Sequence, residues 1–167
     1  MCSSDLAAIG AGVSWIGLFW LAWVHAGYRM VLAAWPTTPE TEVDPPPAAL
    51  PSVTVLLTVH DAAEVLDARL ADLLASDHPR DRFEVLVASD GSRDGTMAVV
   101  EAWRARGAPV RGLDLPRGGK SATQNRAMAE ITSEVVVFTD ADAAFAPDCV
   151  RRLAAPFADP TVGCTTA

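Results

Sequence analysis

Positive charge is scarce in this sequence. Lys and Arg together number 13 among 167 residues, against 21 Asp and Glu, which gives a net charge of −8 at pH 7. Nucleic acids and anionic membrane surfaces are bound through basic faces, so we do not expect a nucleic acid as the main partner. A protein this acidic can hold a phosphate-bearing ligand through a cation, through helix amino-termini or through a few placed basic side chains.

Cysteine and histidine are also rare, with three of each. The cysteines have no metal-ligand spacing, which predicts reduced thiols in a cytosolic domain. The histidines are isolated from one another, and we expect each to be structural or solvent-exposed. The residues concerned are Cys2, Cys149, Cys164, His25, His60 and His78.

Charged side chains are absent from residues 6–28, while four of the five tryptophans fall within the first 35 residues. A bilayer core about 30 Å thick needs roughly 20 apolar residues in a helix. No Lys or Arg precedes this stretch and no small-residue cleavage site follows it, which argues against a removable signal peptide. We therefore predict a membrane anchor helix over residues 1–35. The alternative is a buried hydrophobic helix in a soluble protein.

The charge beyond the predicted anchor indicates its orientation. Arg29 follows the apolar stretch, and basic residues favour the cytoplasmic side of a membrane. We therefore predict an inner (cytoplasmic) membrane protein with a single span and with the rest of the chain in the cytoplasm.

Proline, threonine and acidic residues crowd residues 36–51. Such a composition cannot continue a helix and runs extended as a stiff spacer. We place the domain boundary at this linker, so that residues 52–167 form the folded domain.

The folded domain alternates between short apolar runs and segments with helical periodicity. This pattern predicts an α/β fold, with a mostly parallel sheet and helices on both faces. The capping-box spacing of Ser121 and Gln124 predicts that one helix begins there. The predicted strands are residues 53–59, 84–89, 110–113, 134–139 and 162–166, and the predicted helices are residues 64–75, 96–106, a helix from 121 and residues 147–157.

Two carboxylates follow the predicted strand at residues 134–139, which we expect to be buried on both faces. Asp140 and Asp142 are separated by one residue, and two like charges this close repel unless something positive lies between them. A hard cation such as Mg²⁺ or Mn²⁺ meets that need and completes its shell with water and substrate phosphates. The alternative is an acidic turn that caps the next helix.

Other strands end in polar residues too. Asp90 follows residues 84–89, where its carboxylate can accept hydrogen bonds from a nucleobase or ribose, or from the amides of its own turn. Paired glycines before Lys120, the only lysine, allow close approach of a phosphate or nucleotide. Right-handed crossovers place all strand ends along one edge of the sheet. We therefore expect Asp61, Asp90, Lys120 and Asp140 to line one site with Asp142.

These segments together resemble the nucleotide-binding half of a family 2 glycosyltransferase of the GT-A fold, of the processive-synthase-like kind that carries a membrane helix ahead of the catalytic domain. The resemblance covers residues 51–167. It rests on residues 53–64, 89–96, 118–121, 125–127 and 138–143, among which Ser-Asp-Gly-Ser and Asp-Ala-Asp are a specific joint signal.

The resemblance implies an activity and a role for each site residue. It implies inverting, metal-dependent transfer of a sugar from a nucleotide-diphospho-sugar, a UDP-sugar above all, to an acceptor in polysaccharide biosynthesis. By it, Asp61, Asp90, Lys120 and Asp140 contact the nucleotide, with Asp90 on the base or ribose, while Asp140 and Asp142 bind Mg²⁺ or Mn²⁺ with the diphosphate.

The sequence also departs from the family pattern. Thr58, His60, Asp61 and Ala62 stand where the family usually has Pro and Tyr-Asn-Glu-like residues. The acceptor half is missing, so we expect the amino-terminal part of a longer enzyme, inactive alone, with its catalytic base beyond Ala167. One alternative is a membrane-anchored nucleotide-binding module without catalysis. A nucleotidyltransferase is a weaker alternative, because residues 60–63 are not a basic, glycine-rich triphosphate loop.

Overall fold

The computed structural model describes residues 3–34 and 50–166. These lie in two separate units, the first within residues 1–41 and the second within residues 42–167. Apart from its last two residues, the predicted linker at 36–51 lies outside the described residues, so its extended conformation stays a prediction.

The first unit is a helical run. Helix α1 spans Ser3–Ala22, a π-helical turn follows at Trp23–Gly27, and α2 spans Tyr28–Ala34. Large apolar side chains along it, among them Trp15, Phe19 and Trp20, are exposed. The stretch Gly12–Ala34, with a mean hydropathy of 1.3, is long and apolar enough to cross a membrane.

The second unit is built on a sheet of four parallel strands in the order β3-β2-β1-β4. After β1, the chain adds β2 and β3 on one side of it. Strand β4 then pairs with β1 on the other side, so the direction in which strands are added reverses at β1. All strands end at the same edge, as the sequence predicts. The strands are β1 (Val53–Val59), β2 (Phe83–Asp90), β3 (Val110–Leu115) and β4 (Val135–Thr139).

Helices cover both faces of this sheet, which confirms the predicted fold class. On one face, the larger core cluster joins alternate strand residues such as Val55 and Val85 to Leu70 and Val100 of two helices. On the other face, Leu56 and Leu86 pack with Ala127. The helices are α3 (Ala63–Leu74), α4 (Thr96–Ala105), α5 (Lys120–Met128) and α6 (Cys149–Ala154), of which α5 alone contributes to the second cluster.

The structure corrects the prediction that the strand before the acidic pair, residues 134–139, is buried on both faces. Strand β4 is the outer strand next to β1, and Phe138 is 54% exposed. Helix α5 packs over β1 and β2, which leaves the end of β4 on that face open.

The strand predicted at residues 162–166 is wrong. These residues have no strand conformation. Val162 instead closes a turn by donating its N–H to Asp159 O at 3.1 Å, and Thr165 Oγ1 donates to Leu153 O at 2.9 Å. The segment therefore packs on the end of α6, because it finds its hydrogen bonds there and not along a neighbouring strand.

Two helix boundaries also differ from the prediction. Helix α5 begins at Lys120 with Gly119 as its N-cap, and no side chain caps it, so Ser121 does not form a capping box. The helix predicted at 147–157 is α6 followed by a 3₁₀ turn, Ala155–Ala158. Pro156 lies in the first turn of that second segment, where a missing N–H costs no helical hydrogen bond.

Candidate nucleotide and metal site

Four loops meet at the edge of the sheet where the parallel strands end. They are residues 60–62 after β1, 91–95 after β2, 116–119 after β3 and 140–148 after β4. Each loop leads into a helix, and the site residues predicted from the sequence all lie on these loops or at their borders. Open parallel sheets bind ligands at such an edge.

Lys120, Asp140 and Asp142 share one cavity of about 670 Å³. The Lys120 ammonium donates to Asp140 Oδ1 at 2.5 Å, and the two side chains are 57% and 56% exposed. Asp142 is exposed beside them. The structure therefore brings together the basic group and the two carboxylates that the sequence predicts to act together.

The acidic pair fits a partly hydrated divalent cation. Asp140 has the positive Lys120 ammonium at hydrogen-bond distance, so this position accommodates a cation. Within the described residues, no group of three or more His, Cys, Asp or Glu side chains is placed to hold a metal. A cation held here would take two carboxylates from the protein and its remaining ligands from water or phosphate, as Mg²⁺ commonly does.

Asp90 is buried and holds the glycine loop, residues 117–119. It is 7% exposed, and its Oδ1 accepts hydrogen bonds from Gly118 N at 2.7 Å, Gly119 N at 3.0 Å and Thr123 Oγ1 at 2.9 Å. The bonds from Gly118 and Thr123 lower the pKa of this carboxyl against the opposing effect of burial, and the bond from Gly119 lowers it further. Asp90 thus links the end of β2 to the start of α5. The sequence predicts for Asp90 either a contact with a nucleobase or ribose or a bond to the amides of its own turn, and neither includes this link.

Gly91 is required where the glycine loop approaches β2. Its φ is +67°, and a Cβ there would lie 2.8 Å from Arg117 N. Both the left-handed conformation and this close approach exclude a larger side chain. The Asp-Gly pair therefore allows the loops after β2 and β3 to pack directly on each other.

Asp61 is locked to the loop after β2. It has a φ of +46°, uncommon for a residue with a side chain. Its N–H donates to Ser92 Oγ at 3.1 Å, and its Oδ1 accepts from Arg93 N at 2.7 Å. These bonds compensate the backbone strain and hold the first two loops in one fixed arrangement.

Asp94 and Thr96 reinforce this arrangement. Asp94 Oδ2 accepts from Ala63 N at 2.9 Å, and Thr96 Oγ1 accepts from Ala62 N at 3.0 Å, so the start of α3 is capped from the loop after β2. The hydroxyl of Thr96, followed by the amide of Ala63, lowers the pKa of Asp94. This contact between the two loops is not predicted from the sequence. The Asp-x-Thr spacing of the two residues indicates a local turn, but it gives no sign of a bond to another loop.

Asp61 faces a second cavity, of about 750 Å³, shared with His60, Arg93 and Asp114. His60 Nδ1 donates to Asp90 O at 2.8 Å, while Arg117 donates to the other ring nitrogen. The predicted site is therefore divided. Asp61 lines one cavity, Lys120 and the acidic pair line the other, and neither cavity is lined by Asp90.

Comparison with known proteins identifies the family. A model described as Glycosyl transferase family 2 matches residues 54–167. The chain belongs to glycosyl transferase family 2. This family 2 glycosyltransferase chain is 29% identical over 161 residues to a Beta-monoglucosyldiacylglycerol synthase of Synechocystis sp., covering 89% of the chain and 33% of that protein. It is 32% identical over 117 residues to an N-acetylglucosaminyltransferase of Rhizobium meliloti, covering 68% and 27%.

Solved structures show the same relationship. The mannosyltransferase PcManGT from Pyrobaculum calidifontis, in complex with GDP-Man and Mn²⁺, matches with a TM-score of 0.69 and 31% identity, over 93% of this chain and 44% of that one. Staphylococcus aureus TarS 1–349 in complex with UDP-GlcNAc matches with a TM-score of 0.58 and 27% identity, over 65% and 31%. The expected family and its GT-A fold are thereby confirmed. The chain spans a third or less of the length of these two curated relatives.

Proposed function

We propose that this chain binds the donor in an inverting, metal-dependent glycosyltransferase that transfers a sugar from a UDP-sugar to an acceptor. The observation that carries the proposal is the meeting of Lys120, Asp140 and Asp142 in one cavity at the carboxyl edge of the sheet. A cationic group beside paired carboxylates suits a diphosphate bridged by a metal ion. PcManGT with GDP-Man and Mn²⁺ and TarS with UDP-GlcNAc support a nucleotide-sugar donor.

Asp140 and Asp142 are the residues that would hold Mg²⁺ or Mn²⁺. Such an ion supplies positive charge against the charge that develops on a diphosphate leaving group. Lys120 pairs with Asp140, and its ammonium can form charge-assisted hydrogen bonds with phosphate oxygens. The proposed role of Lys120 is therefore to bind the nucleotide, and the proposed role of the two carboxylates is to bind the metal.

The second cavity is proposed to receive the nucleoside. His60, Asp61 and Arg117 line it with both hydrogen-bond donors and acceptors, as a base and a ribose require. Asp90 lies behind the glycine loop, so we infer that it serves the nucleotide by holding that loop beside the two cavities. The family resemblance supports uridine as the nucleoside.

The same geometry supports donor binding without transfer by the 167-residue chain. The described residues that line the cavity of the acidic pair include no carboxylate besides Asp140 and Asp142, and both are assigned to the metal. Removal of the acceptor proton needs a base within hydrogen-bond reach. This observation also favours the second candidate function, a nucleotide-binding module without catalysis.

We further propose that the first unit anchors the chain in the inner membrane with the sugar-transfer domain in the cytoplasm. The support is the apolar helical stretch Gly12–Ala34, the exposure of its large side chains and the position of Arg29 towards its end.

Titration calorimetry of the full chain with UDP, with and without Mn²⁺, tests the proposed site. We expect Mn²⁺ to raise the affinity and Asp142→Asn to remove that increase. A hydrogen bond to a charged group contributes about 1.5–3 kcal/mol, so the loss is roughly tenfold or more. Asp148→Asn is the matched control, because it makes the same charge change outside the cavity.

Three results would contradict the proposal. Affinity for UDP that does not depend on Mn²⁺ would exclude the metal-bridged diphosphate. Tighter binding of GDP than of UDP would overturn the assignment of uridine. Sugar transfer by the 167-residue chain that is abolished by Asp142→Asn would mean that it contains its own base, with Asp61, Asp114 and Asp148 as the candidates.

A further inference from the structure

Arg69 is a buried charge in the middle of helix α3. It is 4% exposed and lies among the inward-facing residues of that helix, Leu66, Leu70 and Leu73. Burial of an ionised group is costly unless it is paired and hydrogen-bonded. A leucine would fill this position without that cost, so the presence of a cation here indicates a specific role for Arg69.

The guanidinium of Arg69 contacts three groups. Its Nη1 donates to Asp72 on the same helix, and its Nη2 donates to Thr139 Oγ1 at 2.8 Å. Its central carbon lies 4.7 Å above the centre of the Phe145 ring. Burial lowers the pKa of Arg69, and the negative charges of Asp72 and Asp142 oppose that effect.

These contacts hold the two ends of one segment, residues 140–144. Thr139 directly precedes Asp140, and Phe145 follows the segment. Asp72 Oδ2, which pairs with Arg69, also accepts a hydrogen bond from Phe145 N at 3.1 Å. The segment that carries Asp140 and Asp142 is thus attached at both of its ends to the Arg69–Asp72 ion pair on α3.

The segment itself has little internal support. Within it, the backbone hydrogen bond from Ala143 N to Asp140 O is long, at 3.4 Å. The next fixed point comes after it, where Asp77 N donates to Pro147 O at 2.9 Å. Besides the pair between Lys120 and Asp140 and the packing of Ala141 on the core, the position of the segment therefore depends on the contacts that Arg69 and Asp72 make at its ends.

We propose that Arg69, paired with Asp72, is a positioning residue that holds the Asp140–Asp142 loop in the conformation that binds a divalent cation. This inference rests on the proposed function of the acidic pair. Arginine suits the role because its planar fork reaches two acceptors while its face stacks on an aromatic ring. Lysine, a point charge, cannot do both.

The test measures UDP affinity of the full chain with and without Mn²⁺, and Mn²⁺ binding by electron paramagnetic resonance. In Arg69→Met, which keeps an unbranched side chain but removes the guanidinium, we expect the increase in UDP affinity on adding Mn²⁺ to fall at least fivefold. The metal-free affinity should change less than twofold, because the glycine loop is held by Asp90. Arg69→Lys should recover only part of the loss.

Two further variants sharpen this test. Thr139→Val removes one hydroxyl contact of Arg69 and leaves the buried ion pair in place, so it covers the case in which Arg69→Met does not fold. We expect it to lower the Mn²⁺-dependent increase several-fold. Arg104→Met is the matched control, because Arg104 forms an exposed pair with Glu101 at the same helical spacing, away from the loop, and we expect no change.

The outcomes separate this inference from the proposed function. Full Mn²⁺ dependence in folded Arg69→Met, or in Thr139→Val when Arg69→Met does not fold, would overturn the positioning role. An equal loss of affinity with and without Mn²⁺ would also overturn it, since that is the result of general destabilisation. If the unmodified chain shows no Mn²⁺ dependence while it binds UDP, the metal site itself is wrong and the inference falls with it.

Discussion

Asp90 shows how one buried carboxylate organises two loops at the scale of the single residue. Its Oδ1 receives three hydrogen bonds from Gly118, Gly119 and Thr123, which come from the loop after β3 and the first turn of α5. An asparagine has a single acceptor oxygen and presents an amide group where the second carboxylate oxygen accepts from Gly119 N at 3.1 Å. A donor in that place would meet another donor.

We expect Asp90→Asn to weaken UDP binding even without metal, by about tenfold, and to lower the melting temperature. The reason is that the glycine loop and the amino-terminus of α5 lose their common acceptor. Thr123→Val removes one of the three bonds, so it should change both quantities in the same direction by a smaller amount. Calorimetry and thermal unfolding measure both. A loss of affinity seen only with Mn²⁺ present would show that Asp90 acts through the metal and that this assignment is wrong.

The start of β1 depends on a buried histidine at the scale of the element. His78, which is 2% exposed, has its Nε2 3.0 Å from Pro51 O, just ahead of the strand. Its Nδ1 is buried and has no hydrogen-bond partner among the described residues. Burial lowers the pKa of His78 from its ordinary 6.5, and Arg82 adds to that effect, while the bond to Pro51 and the carboxylates of Asp77 and Asp81 oppose it.

This shift makes the stability of the domain depend on pH. Because the pKa of His78 is lower in the folded than in the unfolded protein, its contribution is fully present above pH 6.5 and is lost as the pH falls towards the folded pKa. Protonation would add a donor at Nδ1, for which the described part of the chain supplies no hydrogen-bond partner. We expect the melting temperature to fall between pH 7 and pH 5, and the fall to be smaller in His78→Gln, which retains a donor for Pro51 O. Equal slopes in the two proteins would exclude His78 as the cause.

Across the whole molecule, the two units differ in whether their large apolar side chains are exposed or buried. The helical stretch Gly12–Ala34 is entirely unburied, with exposed tryptophans, whereas the second unit encloses most of its large apolar side chains between a sheet and its helices. Exposed apolar surface of this extent marks a membrane or protein contact. A helix without charged residues over roughly 20 positions suits the hydrocarbon core of a bilayer.

We expect the full chain to stay in the membrane fraction after washing with alkaline carbonate, because extraction would expose this apolar surface to water. A variant that begins at Pro51 is the control and should be recovered from the supernatant. Release of the full chain by the wash would contradict a spanning helix. Protection of the second unit from protease added to the cytoplasmic face would contradict the proposed orientation.

Local chemistry controls the secondary-structure elements, and these could be predicted from the amino-acid sequence. Apolar runs and helical faces indicate which residues form β1 to β4, because side-chain periodicity is a property of neighbouring residues. With right-handed crossovers, this was enough to place Lys120 beside Asp140 at one edge of the sheet. The same reasoning failed at residues 162–166, because a short apolar run becomes a strand only where a neighbouring strand accepts it.

Which polar groups contact one another became visible only in the folded structure. Asp90 finds Gly118 across 28 positions, and Arg69 finds Thr139 across 70. No periodicity in the sequence encodes such pairs, since each depends on how a helix or loop packs after the sheet has formed. For the same reason the sequence placed Asp61 with the acidic pair, whereas the fold assigns it to the neighbouring cavity. The hydrophobic pattern thus indicated the edge of the sheet that carries the candidate site, and long-range hydrogen bonding determined the internal arrangement of that edge.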